Sequence, residues 1–180
     1  MYEDNQTYQL ILNRRSCRFY RPELPKREEL EAVMAAARLA PCALHKELCH
    51  FYVITDPELL EKESKLVSEK MERYANKDHR FGAPVLVLVC APKNWDLAMQ
   101  DASCAMMNMM LAASALGLGS CWINQPFRLS DDPDFRALMA PIGLGEDERV
   151  CAALAIGYPA KPALFSREPF GNFVTWVEHK

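Results

Sequence analysis

The sequence predicts a layered sandwich of strands and helices, of α/β or α+β type, from three observations. Short β-branched and apolar runs at 51–56, 83–92, 120–126 and 149–159 read as buried strands, bounded by Pro, Asp and Gly. Helically spaced apolar residues fall before and between those runs, such as Leu30, Val33, Met34 and Ala37 ahead of the first and Ala98, Ala102, Met106 and Met109 between the second and third. Half of the 180 residues are hydrophobic, and no repeat, low-complexity tract or linker divides them, so one domain spanning 1–180 is expected.

In chain order, Tyr8 to Leu12 reads as a short apolar helix ahead of an arginine-rich turn. A second helix begins with Glu28, Glu29 and Glu31, acids that the positive end of a helix dipole favours, and Pro41 ends it. Residues 57–81 are charged and helical in character, which suits a solvated face or a lid over a site. From Leu97 to Leu116, Ala98, Ala102, Ala105, Met106, Met109 and Ala113 share one face while small residues fill the rest; this helix should be buried nearly all round. Its methionines read as core filling, and Asp101 as a solvent-facing polar anchor or a site contact. Gly117 and Gly119 stop it. At the tail, Phe173, Thr175 and Val177 alternate with Val174 and Trp176 as in a strand.

Composition narrows the partners. A net charge of -3 gives no whole-chain field that would draw nucleic acid. Cysteines 90, 121 and 151 sit in apolar runs and the total of seven is odd, which suits a reducing, cytoplasmic setting. The N-terminus lacks a secretory pattern, and the apolar segment 102–118 is too short and too interrupted to span a membrane.

Two stretches could carry chemistry. In "RRSCRFYRPELP", Arg14, Arg15, Arg18 and Arg21 surround Ser16; guanidinium forks plus a hydroxyl suit a phosphate dianion, and a solvated turn capping a helix suits the same residues. In "PCALHKELCH", Cys42, His45, Cys49 and His50 are zinc-type ligands, yet adjacent Cys49 and His50 at a strand start should face opposite ways, so four cannot converge. There is no GxGxxG, GxxxxGK[ST] or nucleophile-elbow motif.

Arg-Arg-Ser-x-Arg-x-Tyr with a following Pro-Glu, a helix ending in Ala-Pro, "ALGLGSCWI" and "AIGYP" stand in one order across residues 8–177, and together they resemble the flavin-dependent nitroreductase family. The resemblance implies an α+β three-layer sandwich, a mixed sheet flanked by helices, in an intertwined homodimer with FMN between the subunits. It places the FMN phosphate and ribityl chain at Arg14, Arg15, Ser16 and Arg18. It brings the partner's Pro41, Cys42, Ala43, His45 and Glu47 near the ring, although the family's Pro-Ser-Ala-x-Asn-x-Gln reads Pro-Cys-Ala-Leu-His-Lys-Glu here. His45 or Lys46 would then donate to the ring oxygens. Backbone around Cys121, Trp122 and Ile123 and around Ile156 and Gly157 would approach the ring, and Arg167 or Lys161 the phosphate. The arm 170–180 would add a strand to the partner's sheet. The implied activity is electron transfer from NADH or NADPH to a nitroaromatic, quinone or similar acceptor, with no catalytic side chain because the flavin carries the chemistry. A flavin-binding protein with little turnover, and a metal-binding protein using Cys42, His45 and Cys49, are the alternatives.

Overall fold

The structure, a computed structural model, describes residues 2–161, 171–172 and 174–178. Four strands form one sheet in the order β1-β2-β4-β3: β1 is His50–Ile54, β2 Val85–Pro92, β3 Gly119–Ile123 and β4 Glu148–Gly157. The sandwich is the α+β architecture expected. Its three ladders are antiparallel, so parallel pairing in the expected mixed sheet reduces, among the described residues, to an isolated bridge between Ser16 and Ser120.

Central strands β2 and β4 are buried on both faces, which is why their sequences run apolar without alternation. Val85, Val87 and Val89 point into one core with Leu30 and Val33 of α2 (Arg27–Arg38) and Met106 and Met109 of α4 (Ala98–Ala115). Leu86, Leu88 and Cys90 point into the other, with Leu60 and Val67 of α3 (Pro57–Lys70) and Phe135 and Met139 of α6 (Pro133–Met139). Helices thus cover both faces, giving three layers. Fully burying a side chain such as Phe135 contributes about 1.5–3 kcal/mol.

Local chemistry sets the helix ends. Asp56 and Asp132 accept hydrogen bonds from first-turn amides of α3 and α6, and each is followed by a proline whose fixed φ starts a helix. The short α1 (Gln6–Asn13) is capped by Asn5. The strand expected over 120–126 stops at Ile123 and gives way to a single turn, α5 (Gln125–Arg128). Buried Glu63 faces His79 at 3.1 Å and Arg80 at 3.5 Å, tying α3 to the turn before β2. Val174, Trp176 and Val177 of the tail lie exposed and outside any strand of this chain.

Candidate functional site

Beyond α1 the chain runs extended along the edge of the sheet. Cys17 N–H donates to Ser120 O at 2.8 Å, Arg21 N–H to Tyr158 O at 2.9 Å and Ala160 N–H to Phe19 O at 2.9 Å. Gly119 permits this approach, since a Cβ there would sit 2.7 Å from Cys17 Sγ. The arginine motif is therefore fastened to β3 by backbone bonds.

That fastening brings together residues about 100 positions apart. Burial pushes the Cys121 thiol up, and the Arg18 and Arg14 guanidiniums and the Ser16 hydroxyl beside it pull the other way. Arg14 Nη1 is buried without a hydrogen-bond partner. Arg15 donates through Nη1 to Leu12 O at 2.7 Å and Arg14 O at 2.8 Å and so caps the end of α1. Tyr20, half-buried behind them, has its hydroxyl held far above the usual range by desolvation and by the neighbouring Cys17 and Cys121 thiols; it donates to Cys17 O at 3.0 Å. Arg18 lies 5.9 Å from the centre of the Phe81 ring. With Cys121, Trp122 and Ile123 it lines a cleft of about 670 Å³, whose far wall is the turn after α3. Trp122 Nε1 donates to Asn124 Oδ1 at 2.9 Å, fixing the indole at that rim.

The segment 41–47 lies elsewhere in the chain. Pro41, Cys42 and Glu47 line a separate cavity of about 750 Å³ with Cys49, Phe51 and Asp101, and the two cavities share no residue. Leu44, His45 and Glu47 all take left-handed φ values, at 55°, 51° and 49°. Each costs about 1–2 kcal/mol for a residue bearing a Cβ, and such strain persists only where surroundings enforce it. Asp101 supplies that enforcement. It is buried, contrary to the solvent-facing reading of the sequence; Oδ1 accepts from Ala43 N–H at 2.7 Å and Oδ2 from Trp95 Nε1 at 2.8 Å. Lys46 Nζ in turn sits 4.7 Å above the Trp95 ring. His45, Lys46 and Glu47 are exposed.

Cys49 and His50 do point apart. Cys49 packs on the core, its thiol pushed up to about 12 by burial and then by Asp101; His50 faces out, with Nδ1 2.9 Å from Glu148 Oε1. Among the described residues no group of three or more His, Cys, Asp and Glu side chains is placed to hold a metal ion.

Ile156 is fully buried in the core, and a Cβ at Gly157 would meet Pro84 Cδ at 2.7 Å and Tyr20 Cδ1 at 3.0 Å, so protein crowds this backbone on that side. Lys161 Nζ lies 4.7 Å over the Phe19 ring. Arg167 falls outside the described residues. The sequence reading missed Phe81, Tyr74, Arg73, Lys77 and Arg128, which line the cleft from turns and a one-turn helix that carry no periodic signal.

A three-layer α+β sandwich with an arginine-lined cleft at one sheet edge is the class the geometry defines. Within it, the chain belongs to the nitroreductase family, whose model it matches over residues 11–158. It is 34% identical over 155 residues to an Archaeoglobus fulgidus protein provisionally named NADH dehydrogenase/NAD(P)H nitroreductase, covering 83% of each chain. A nitroreductase with bound FMN from Bacteroides fragilis superposes with a TM-score of 0.88 at 31% identity, over 97% of this chain and 100% of that one. A second nitroreductase with bound FMN, from Desulfitobacterium hafniense, has the same fold at 20% identity, with a TM-score of 0.86 over 97% of this chain and 99% of that one. No helix among the described residues is long and apolar enough to cross a membrane.

Proposed function

We propose that this chain is an FMN-dependent oxidoreductase that passes electrons from NADH or NADPH to an electron-poor acceptor such as a nitroaromatic or a quinone. The observation that carries the reading is Arg14 Nη1, buried with no partner beside Ser16, Arg18 and Cys121. A buried guanidinium donor left unpaired is costly, and a phosphate oxygen satisfies it. The residues present therefore fit FMN: Arg14, Ser16 and Arg18 would hold its phosphate and ribityl chain, and Cys121, Trp122 and Ile123 would border its ring. FMN, when bound, supplies the electron relay, and the protein's work is to grip it, orient it and offset negative charge.

A homodimer completes the site. The strained, exposed segment 41–47 does not reach the cleft within its own chain, as a segment serving the partner's ring would not. Lys46, steadied by Trp95, is the donor of that segment, with His45 beside it. Exposed Val174, Trp176 and Val177 suit an arm laid on the partner. Of the segment 57–81, α3 is anchored by Leu60, Glu63 and Val67, so any lid role falls to the turn 71–77 at the cleft. Seven free thiols suit a reducing cytoplasm.

Purified protein should carry the visible absorption of a flavin. Arg14→Ala and Arg18→Ala should each weaken FMN retention about 10- to 100-fold, the worth of one or two charge-assisted hydrogen bonds. Variants that hold FMN as tightly as the parent, by equilibrium dialysis, would overturn the assignment.

A further inference from the structure

The cleft holds more positive charge than an FMN phosphate accounts for. Of the residues assigned to that group only Arg18 lines the cleft; Arg73, Lys77 and Arg128 line it as well, and none of these three makes an ion pair among the described residues. Lys77 Nζ reaches only a backbone oxygen, that of Arg73, at 3.5 Å. Lys70 on the same wall is already neutralised by Asp132 and Asp134. Glu72 is the one carboxylate in the lining. Like charges gathered without counter-charges repel one another, which disfavours the arrangement unless an anion enters.

The walls between these cations are flat and apolar. Trp122 is half-buried with its indole fixed by Asn124, and Phe81 and Tyr74 stand opposite. Phe81 takes a left-handed φ of 59°, a strained conformation for an aromatic residue at a cleft rim. Aromatic faces bind planar rings, and a rim of guanidinium and ammonium groups selects among such rings by charge.

We infer that the cleft selects acceptors carrying an anionic group, a carboxylate or its equivalent, on a planar ring, with Arg73, Lys77 and Arg128 as the specificity-determining cations. This rests on the oxidoreductase reading above. All three side chains are exposed, so their effect is moderate and screened by salt.

The test compares p-nitrobenzoate with p-nitrobenzamide, nearly equal in shape and unequal in charge, as acceptors for the FMN-loaded enzyme, with menadione as an uncharged control. At low ionic strength kcat/KM should favour the benzoate by about 10-fold. That ratio should shrink in 0.5 M salt and fall toward one in R73Q/K77Q/R128Q, with a partial fall in Lys77→Gln alone. A ratio near one in the parent, or one unchanged by the substitutions, overturns the inference. So does a triple variant that alters the NADPH-to-NADH preference while leaving the benzoate-to-benzamide ratio intact, because the cations would then serve the nucleotide phosphate. Failure to reduce menadione with either nucleotide overturns the oxidoreductase reading itself, which the menadione arm reports separately.

Discussion

The stretches 14–21 and 41–47 are both short, polar and rich in potential ligands, yet they are held in opposite ways. The first is sewn to the sheet by backbone hydrogen bonds at Cys17, Phe19 and Arg21, and its residues keep ordinary backbone angles. The second has three left-handed residues in four positions and hangs on one buried carboxylate, Asp101. A motif carried by an extended strand needs no further support, whereas one carried by a contorted turn needs an anchor contributed from afar.

The sharpest way to break this contrast is Asp101→Ala. It orphans the Ala43 N–H and the Trp95 indole N–H, at about 1–3 kcal/mol each, so urea unfolding should show a loss of about 3 kcal/mol. A loss below about 1 kcal/mol would show that something else restrains the turn. Gly119→Ala strikes the other region: its Cβ would press on Cys17, costing about 1–3 kcal/mol and levering the arginine motif off β3, so stability and FMN retention should fall together. Glu47→Gly should act in the reverse sense, relieving a left-handed residue for a net gain of about 0.5 kcal/mol; a destabilised variant would mean the Glu47 side chain holds a contact of its own.

The smallest effect is one of pH, where the second region joins β1. Burial opposes ionisation of Glu148, but the Tyr52 hydroxyl at 2.6 Å, the Gly145 N–H and His50 outweigh it and hold the carboxyl below its usual value. A carboxyl depressed in the folded state adds stability that is complete above the ordinary glutamate range, about 4.3, and fades as pH drops through the folded value. The unfolding temperature should therefore fall more steeply with pH below about pH 4 in the parent than in Glu148→Gln, with no such difference in slope near pH 7, where the stabilisation is complete.

What the sequence disclosed follows from the same contrast. Strands β2 and β4 were legible because burial on both faces writes itself as unbroken apolar character; helix α4 was legible through its buried face, Ala98, Ala102, Ala105, Met106, Met109 and Ala113, although Gln100 and Met107 lie exposed, so the helix is not buried all round as expected. The arginine motif was legible as a group, though not Arg15's turn back to the helix end, which depends on a rotamer. Helix α6 has only seven residues, so its start signal, Asp132 before Pro133, went unsupported by periodicity. The strained turn was invisible because Leu44, His45 and Glu47 are not residues that announce left-handed backbone. Asp101's role was hidden because its acceptor work links positions 58 apart in sequence. Gly157 reads from the sequence only as part of a backbone approaching a ligand; its crowding by Tyr20 and Pro84 depends on residues 137 and 73 positions away.

The bridge between Ser16 and Ser120 bears on how the cleft can breathe. Because the arginine rim is welded to the floor strand, any tilting of that edge carries rim and floor as one rigid plate. The opposite wall is the turn after α3, whose Met71 and Tyr74 pack into the same core as Tyr20, Cys121 and Ile123. The rim is thus joined to its floor by backbone hydrogen bonds and the opposite wall by side-chain packing, so the wall is the part that can yield to an entering molecule.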